Sequence, residues 1–222
     1  GSGSVIHAVD GEQDMRRMGG LRTHIPRTYW MMVVGTLALT GFPLTAGYFS
    51  KDAIIEAAYA ATNPAASYAF AMVVIAAALT AFYSWRLIFM TFHGPAHAPA
   101  EVMKHAHESP LVMMAPLYVL AAGALLAGLI WEHAFVGEAN GEFWRAALVA
   151  GEKSTILEAM HHAPFWVVWA PTVMMIVGVV IAVYFYLVDP AMPPRLAEQN
   201  ARLYQFLLNK WYFDELYDVI FV

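Results

Sequence analysis

The sequence contains no cysteine, and charged side chains make up only 13% of its 222 residues. The lack of cysteine excludes disulfides, thiolate-ligated metal or iron–sulfur sites and cysteine nucleophiles on this chain. A soluble domain carries about twice this share of charge, so the composition disfavours a soluble globular protein. The net charge of −5 and the scarcity of clustered basic residues disfavour nucleic-acid binding.

Apolar residues make up 60% of the chain and are concentrated in four long stretches without Asp, Glu, Lys or Arg. These stretches are 28–50, 57–85, 109–131 and 159–188. Each exceeds the roughly 20 residues that a helix needs to cross a bilayer, and none alternates as a barrel strand would. The pattern therefore predicts an all-α, polytopic membrane helix bundle, with buried helices of a large soluble protein as the weaker alternative.

Lysine and arginine are unevenly divided between the two sides that four crossings create. The first side holds most of them: Arg16, Arg17, Arg22, Arg27, Arg86, Lys104, Arg195, Arg202 and Lys210. The second side holds only Arg145 and Lys153, among several glutamates. By the positive-inside rule the first side is cytoplasmic, and we expect a multi-pass protein of the bacterial inner membrane.

The first span is interrupted by residues that break helices. Gly41, Pro43 and Gly47 lie within seven positions, where proline removes a backbone donor and glycine loosens the chain. We therefore predict a discontinuous helix broken between positions 41 and 50, with Thr40 and Thr45 bonding the freed backbone groups. Breaks at membrane depth occur where the backbone is buried in protein or lines a wet cavity, and they mark ion sites in transporters.

Lys51 follows this break directly, and Ser50 before it is a suitable N-cap for a second half-helix over 51–61. Asp52 beside the lysine could partner it electrostatically. A buried lysine near a carboxylate can gain and lose a proton, so Lys51 and Asp52 are the main candidate site residues. The alternative is that Lys51 snorkels to the far membrane surface, which a continuous helix from Thr28 would reach.

Three further side chains are candidates for a proton path. Glu56 lies one helical turn after Asp52, and it is either a stepping stone or a carboxylate at the membrane surface. Arg86 lies inside an apolar run and either snorkels or is buried, and His93 is either a surface histidine or a proton relay. The spacing of the histidines gives no convincing metal site, so we expect neither a metal nor a cofactor on this chain.

Several motifs resemble the antiporter-like subunits of respiratory complex I, the proton-translocating NADH:quinone oxidoreductase. They are Met18-Gly19-Gly20-Leu21, Gly35-Thr36-Leu37-Ala38-Leu39-Thr40-Gly41-Phe42-Pro43 and Gly47-Tyr48-Phe49-Ser50-Lys51-Asp52. The C-terminal run Asn209-Lys210-Trp211-Tyr212-Phe213-Asp214-Glu215-Leu216-Tyr217-Asp218 is similar to the most distal of these subunits. The resemblance covers essentially the whole chain.

The resemblance implies a proton-conducting membrane subunit without redox chemistry of its own. It places Lys51 at the break of the discontinuous helix of the second inverted repeat, with Asp52 beside it in the outlet part of the path. NADH, FMN, iron–sulfur clusters and quinone are then expected in other subunits, and a neighbouring antiporter-like subunit and lipid are the expected partners. The family's subunits are longer, so we expect a piece of a longer protein. The alternatives are a cation/proton antiporter subunit and a structural membrane brace.

These observations predict the following organisation. Residues 1–27 contain the end of a preceding helix and a cytoplasmic loop, and residues 28–61 form the discontinuous helix. Three transmembrane helices follow at 65–92, 110–131 and 164–188, separated by a cytoplasmic loop at 93–109 and an outer loop at 132–163. Residues 195–222 form an amphipathic segment that begins a lateral helix.

Overall fold

The computed structural model describes residues 1–148 and 156–221. Every regular element in these two ranges is helical, which confirms the all-α class. The α-helices are α1 Ser2–Ala8, α2 Pro26–Thr40, α3 Ala46–Ala60, α4 Ala66–Phe92, α5 Ala100–His105, α6 Leu111–Phe135, α7 Asn140–Trp144, α8 Ile156–His161, α9 Phe165–Val183, α10 Met192–Gln199, α11 Ala201–Leu208 and α12 Phe213–Phe221.

Three helical runs among the described residues are long and apolar enough to cross a membrane, namely α4, α6 and Phe165–Val188. The last is α9 followed by the π-helical stretch Tyr184–Val188. The first predicted span is divided between α2 and α3, which have 15 residues each. At 1.5 Å per residue each is about 22 Å long, so neither half alone covers the hydrocarbon core of roughly 30 Å.

The first of two compact units, Gly1–Val183, is built around α4. The helix α9 packs closely along it, and a Cβ atom at Gly178 would overlap the backbone of Ala78. Both α2 and α3 pack against α4 and against α6, so two continuous helices hold the broken one. Ile88, Phe92 and Val167 are among the fully buried side chains of this unit.

The connections contain more helix than the sequence indicates. The predicted loop 93–109 includes α5, and the predicted outer loop 132–163 includes the end of α6 together with α7 and α8. Helix α6 continues four residues past position 131 because Glu132–Phe135 still satisfy its backbone bonds, and Val136 N–H donates to Glu132 O over 2.9 Å. Glu152 and Lys153, used in the charge argument, lie outside the described residues.

The second unit begins at Tyr184 and contains α10, α11 and α12. The predicted amphipathic segment is thus a series of short helices, and it begins at Met192 rather than at position 195. A turn over Lys210–Tyr212, with Trp211 at φ 64°, separates α11 from α12. The large apolar side chains of this unit are exposed, including Leu203, Phe206 and Leu207.

Candidate functional site

The break in the first span runs from Gly41 to Thr45 and begins with a Schellman motif. Phe42 N–H donates to Leu37 O over 2.9 Å, and Gly41 N–H donates to Ala38 O over 3.1 Å. Gly41 adopts a left-handed φ of 79°, which a glycine tolerates without strain. The backbone carbonyls at the C-terminal end of α2 therefore accept hydrogen bonds from the residues that directly follow the helix.

Two threonines bond the backbone around the break. The hydroxyl of Thr40 donates to Leu37 O over 3.1 Å, and that of Thr45 donates to Phe42 O over 2.6 Å. Both side chains are buried, and Pro43 between them has no N–H that needs a partner. The prediction that Thr40 and Thr45 serve the freed backbone groups is confirmed.

The second half-helix begins earlier than predicted. It begins at Ala46, and Ser50 is not its N-cap: the Ser50 hydroxyl donates to Gly47 O over 3.4 Å. Gly47 was assigned to the break because glycine disfavours helices. In the structure it is helical, and a Cβ there would overlap the Ala38 carbonyl of α2. Its role is to let the two half-helices touch.

Lys51 consequently lies in the second turn of α3 rather than at its N-terminus. Its side chain passes the break, since a Cβ on Gly41 would be 3.5 Å from Lys51 Cδ. The half-buried lysine lines a cleft of about 180 Å³ between α3 and α4, here called the lysine cleft. Its walls are mostly apolar: Lys51, Ile54, Ile55, Val73, Ala76, Ala77 and Thr80.

Aromatic contacts along α4 show the depth at which the lysine cleft lies. At one end Tyr29 of α2 packs on Phe92 with ring centroids 5.2 Å apart. At the other end Tyr59 of α3 packs on Phe70 at 5.4 Å. Between these contacts, Lys51 faces the middle of a helix that is long enough to span a bilayer. Lys51 thus lies beside the middle of α4, away from both ends of that helix.

Asp52 and Lys51 interact electrostatically without forming an ion-pair contact. None of the salt bridges between described residues includes Lys51. Consecutive residues of a helix point about 100° apart, so the two side chains face different neighbours although their charges still attract. Asp52 is 8% exposed, and its Oδ2 has no hydrogen-bond partner among the described residues.

Asp52 belongs instead to an acidic stripe on α3, formed with Tyr48 and Glu56 at intervals of four residues. Glu56 is half-buried in the protein. His161, the last residue of α8, lies close enough to attract its carboxylate electrostatically. No local pattern indicates this approach, because His161 is far along the chain from Glu56 and lies in the predicted outer loop 132–163.

Arg86 and His93 both lie toward the α4 end that contacts α2. Arg86 is half-buried, and its Nε donates to the Met90 sulfur over 3.5 Å. His93 ends the helix, and its Nε2 lies 3.2 Å from the Tyr29 hydroxyl. Burial and the nearby Arg22 guanidinium lower the pKa of His93, which favours its neutral ring.

Glu108 is a structural residue that sequence analysis missed. It precedes α6, yet its carboxylate accepts hydrogen bonds from the Arg27 N–H, from the Thr28 N–H over 3.3 Å and from the Thr28 hydroxyl over 2.8 Å. It therefore caps the N-terminus of α2 from about 80 residues away. No local pattern could have indicated it, because the acceptor and donors meet only in the folded bundle.

The described residues contain no group of three or more histidine, aspartate or glutamate side chains that could hold a metal ion. The His7 and His107 rings do meet edge to face, with centroids 5.9 Å apart. The charged side chains beside the break are one lysine, Lys51, and two carboxylic acids, Asp52 and Glu56.

Comparison with known proteins gives consistent matches. Residues 1–80 match the family described as NADH:quinone oxidoreductase/Mrp antiporter, TM. The chain is 38% identical over 288 aligned residues to NADH-quinone oxidoreductase subunit L of Rhodobacter capsulatus, covering 100% of this chain and 40% of that protein. It is 38% identical over 225 residues to subunit L of Rickettsia bellii, covering 100% and 34%.

A mitochondrial-type relative matches as well. NADH-ubiquinone oxidoreductase chain 5 of Phytophthora infestans is 37% identical over 218 residues, covering 97% of this chain and 33% of that protein. The chain thus spans from 33% to 40% of the length of these relatives. These similarities confirm the resemblance that the motifs indicated.

Proposed function

We propose that the chain belongs to the antiporter-like membrane subunits of NADH:quinone oxidoreductase and is part of a proton-conducting subunit. This is supported by the family match over residues 1–80 and by the similarity of almost the whole chain to subunit L and chain 5 proteins. Lys51 carries the proton at mid-membrane. The observation that supports this role is the position of the lysine beside the helix break, facing the middle of α4 in a mostly apolar cleft. Ionisable residues held at membrane depth are costly, and most serve ion or proton transfer.

The lysine cleft and the acidic stripe have opposite effects on the charged form of Lys51. Apolar walls destabilise the ammonium form, whereas the Asp52 carboxylate attracts it. The two forms of the amine are then close enough in free energy to exchange a proton. A cleft of about 180 Å³ has room for several water molecules beside the lysine amine and the Thr80 hydroxyl.

The subunit performs no redox step of its own. NADH, FMN, iron–sulfur clusters and quinone belong to other subunits of the complex, and the neighbouring antiporter-like subunit and lipid cover the exposed apolar faces. The face formed by residues 1–25 and 93–109 carries Arg16, Arg17, Arg22 and Lys104, and it is cytoplasmic in the bacterial inner membrane. Moving one charge against 100 mV requires about 2.3 kcal/mol, which quinone reduction elsewhere supplies.

The decisive test is Lys51→Ala in the assembled complex, reconstituted in vesicles that contain a pH-sensitive dye. We expect proton pumping driven by NADH to be lost or strongly reduced while the complex still assembles. Lys104→Ala is the matched control, because Lys104 is exposed on α5 and forms a surface ion pair with Glu101 at 3.7 Å. Unchanged pumping by Lys51→Ala would show that the chain is a structural brace.

The family name also includes Mrp antiporters, which favours cation/proton exchange as a second candidate function. Exchange predicts sodium-dependent proton movement without NADH, abolished by the same Lys51→Ala change. Vesicles given a sodium gradient and no NADH separate the two functions.

A further inference from the structure

Large buried side chains are concentrated where the last turns of α4 meet the start of α2. Among the described residues, the largest fully buried side chains are six in number, and all except Val167 belong to this region. Four of these side chains are apolar and are here called the plug: Leu21, Ile25, Ile88 and Phe92. The first three are 0% exposed and Phe92 is 1% exposed, so the whole plug is shielded from water.

Contacts between three segments bring the plug together. Its two residues on α4 are one turn apart, on the same face of that helix. The turn Leu21–Thr23 packs against both α2 and α4, and Ile25 N–H donates to Leu21 O over 3.0 Å. The Tyr29 ring packs on Phe92 with centroids 5.2 Å apart. The plug therefore fills the space between the end of α4 and the start of α2.

The motif Met18-Gly19-Gly20-Leu21 holds one side of the plug in place. Gly20 N–H donates to His93 O over 3.3 Å. Gly19 adopts a φ of 113°, and a Cβ there would overlap the Pro95 carbonyl. Because the two glycines let the chain after α4 lie directly on the motif, the leucine of the motif is fixed against the end of that helix.

The plug separates Lys51 from the face formed by residues 1–25 and 93–109, here called the loop face. The lysine cleft reaches Thr80 of α4. At 1.5 Å per residue, the two plug residues of α4 lie about 12 and 18 Å further along that helix, toward the loop face. A proton that moved between the loop face and Lys51 along α2 and α4 would therefore have to cross the plug.

The chemistry of the plug does not favour this crossing. None of its four side chains carries a hydroxyl, amide, amine or carboxyl group that could pass on a proton. The polar groups at its border have protein partners: the Thr28 hydroxyl donates to Glu108 over 2.8 Å, and the Tyr29 hydroxyl lies 3.2 Å from His93 Nε2. Hydrophobic constrictions of this kind close membrane pores because water does not wet them.

We propose that the plug is a proton seal, which closes the route between Lys51 and the loop face. The inference rests on the proposed role of Lys51 as a proton carrier. Without the seal, a proton on this lysine could flow to the loop face and dissipate the gradient that the complex builds. The two glycines of the motif then serve transport as well as folding, because they keep the seal in place.

The test is Phe92→Ser in the assembled complex, reconstituted in vesicles that contain a pH-sensitive dye. An apolar gap can stay dry, whereas the serine hydroxyl gives water a partner in the space that the ring leaves. After a step in external pH without NADH, protons should leak several-fold faster than in the wild type. With NADH, oxidation should continue while the steady pH gradient is lost. Phe92→Leu, which keeps the site apolar, should stay nearly as tight as the wild type.

A gentler variant serves if Phe92→Ser does not assemble. Ile88→Thr keeps the branched shape of the side chain and adds one hydroxyl to the plug, so it should also leak. Val167→Thr is its matched control, because Val167 is likewise 0% exposed and follows Trp166, which contacts Phe70 at the other end of α4. The control should stay tight. An equal leak from both threonine variants would overturn the seal, since any buried hydroxyl would then suffice.

The double variant Phe92→Ser/Lys51→Ala shows whether the leak passes the lysine. We expect its vesicles to be tight again, because a proton entering through the gap meets no amine. Tight vesicles of Phe92→Ser, or a leak that persists in the double variant, would overturn the seal. Either result leaves the role of Lys51 intact as long as Lys51→Ala abolishes pumping, whereas unchanged pumping by Lys51→Ala overturns both proposals.

Discussion

The two half-helices of the first span have the same length but differ in the charged side chains that they carry. Both α2 and α3 have 15 residues, and both pack against α4 and α6. Past Arg27, α2 carries no charged side chain, whereas α3 carries Lys51, Asp52 and Glu56. Helix α3 also packs against α8 and α9. The charged side chains of the pair therefore lie on the half-helix that has more neighbouring helices.

The ends of the two half-helices are also held differently. The N-terminus of α2 is capped by Glu108, which comes from a distant part of the chain. The N-terminus of α3 is held locally, by its contact between Gly47 and Ala38. The N-terminal end of α2 is thus held to the rest of the bundle by hydrogen bonds to Glu108. The junction between the two half-helices is held by close backbone packing. This difference explains how Lys51 can be held beside the middle of α4 without a continuous helix.

The strongest test of this comparison replaces one glycine of each half-helix by alanine. Gly47→Ala adds a Cβ that overlaps the Ala38 carbonyl, so the half-helices must separate. We expect destabilisation of about 1–3 kcal/mol or more, as for overpacked cores, measured by thermal unfolding of the purified chain in detergent. The strain should also displace Lys51 from its cleft.

Gly35→Ala in α2 is the matched control, because a Cβ there meets open space. Alanine in place of a helical glycine should stabilise by about 1 kcal/mol. If both substitutions were stabilising, the close junction between the half-helices would be disproved.

The next largest effect should come from the remote cap of α2. Glu108→Ala removes the acceptor for the Arg27 and Thr28 amides, and loss of a helix cap costs about 0.5–2 kcal/mol. Hydrogen exchange at these two amides should accelerate, while exchange in α3 remains unchanged. Glu101→Ala, which removes an exposed carboxylate of α5, should leave both amides protected. Equal acceleration in α3 would mean that the half-helices are not held independently.

Much of the framework could be predicted from the sequence because the signals are local. Long runs without charge predicted the spans, and Gly41 with Pro43 predicted the break, since each acts on its own stretch of backbone. Even the threonine hydroxyls bond to carbonyls only three residues away. In these cases the donor, the acceptor and the constraint all lie within one or two turns.

The remaining features depend on neighbours that sequence order does not reveal. The sequence alone suggests that Gly47 breaks the helix, and only the structure shows that this glycine packs against the Ala38 carbonyl. Glu108 and His161 acquire their partners only when α6 and α8 pack against the broken helix. The orientation of Asp52 away from Lys51 follows from helix geometry, but which face meets the lysine cleft depends on where α4 lies.

The smallest expected effect concerns His93, which follows α4 and lies beside the Tyr29 hydroxyl near the start of α2. Burial and Arg22 lower the pKa of His93, so folding favours the neutral ring. The unfolded chain therefore gains protons first as the pH falls below about 6.5, and the wild-type chain loses stability relative to His93→Gln. Because the ring is only half-buried, we expect the difference in unfolding midpoint to change by roughly 1–2 °C between pH 7.5 and 5. His24→Gln, which replaces an exposed histidine near the start of α2, should show no such change. A constant difference between wild type and His93→Gln across this range would mean that the Tyr29–His93 contact is as solvated as the surface around it.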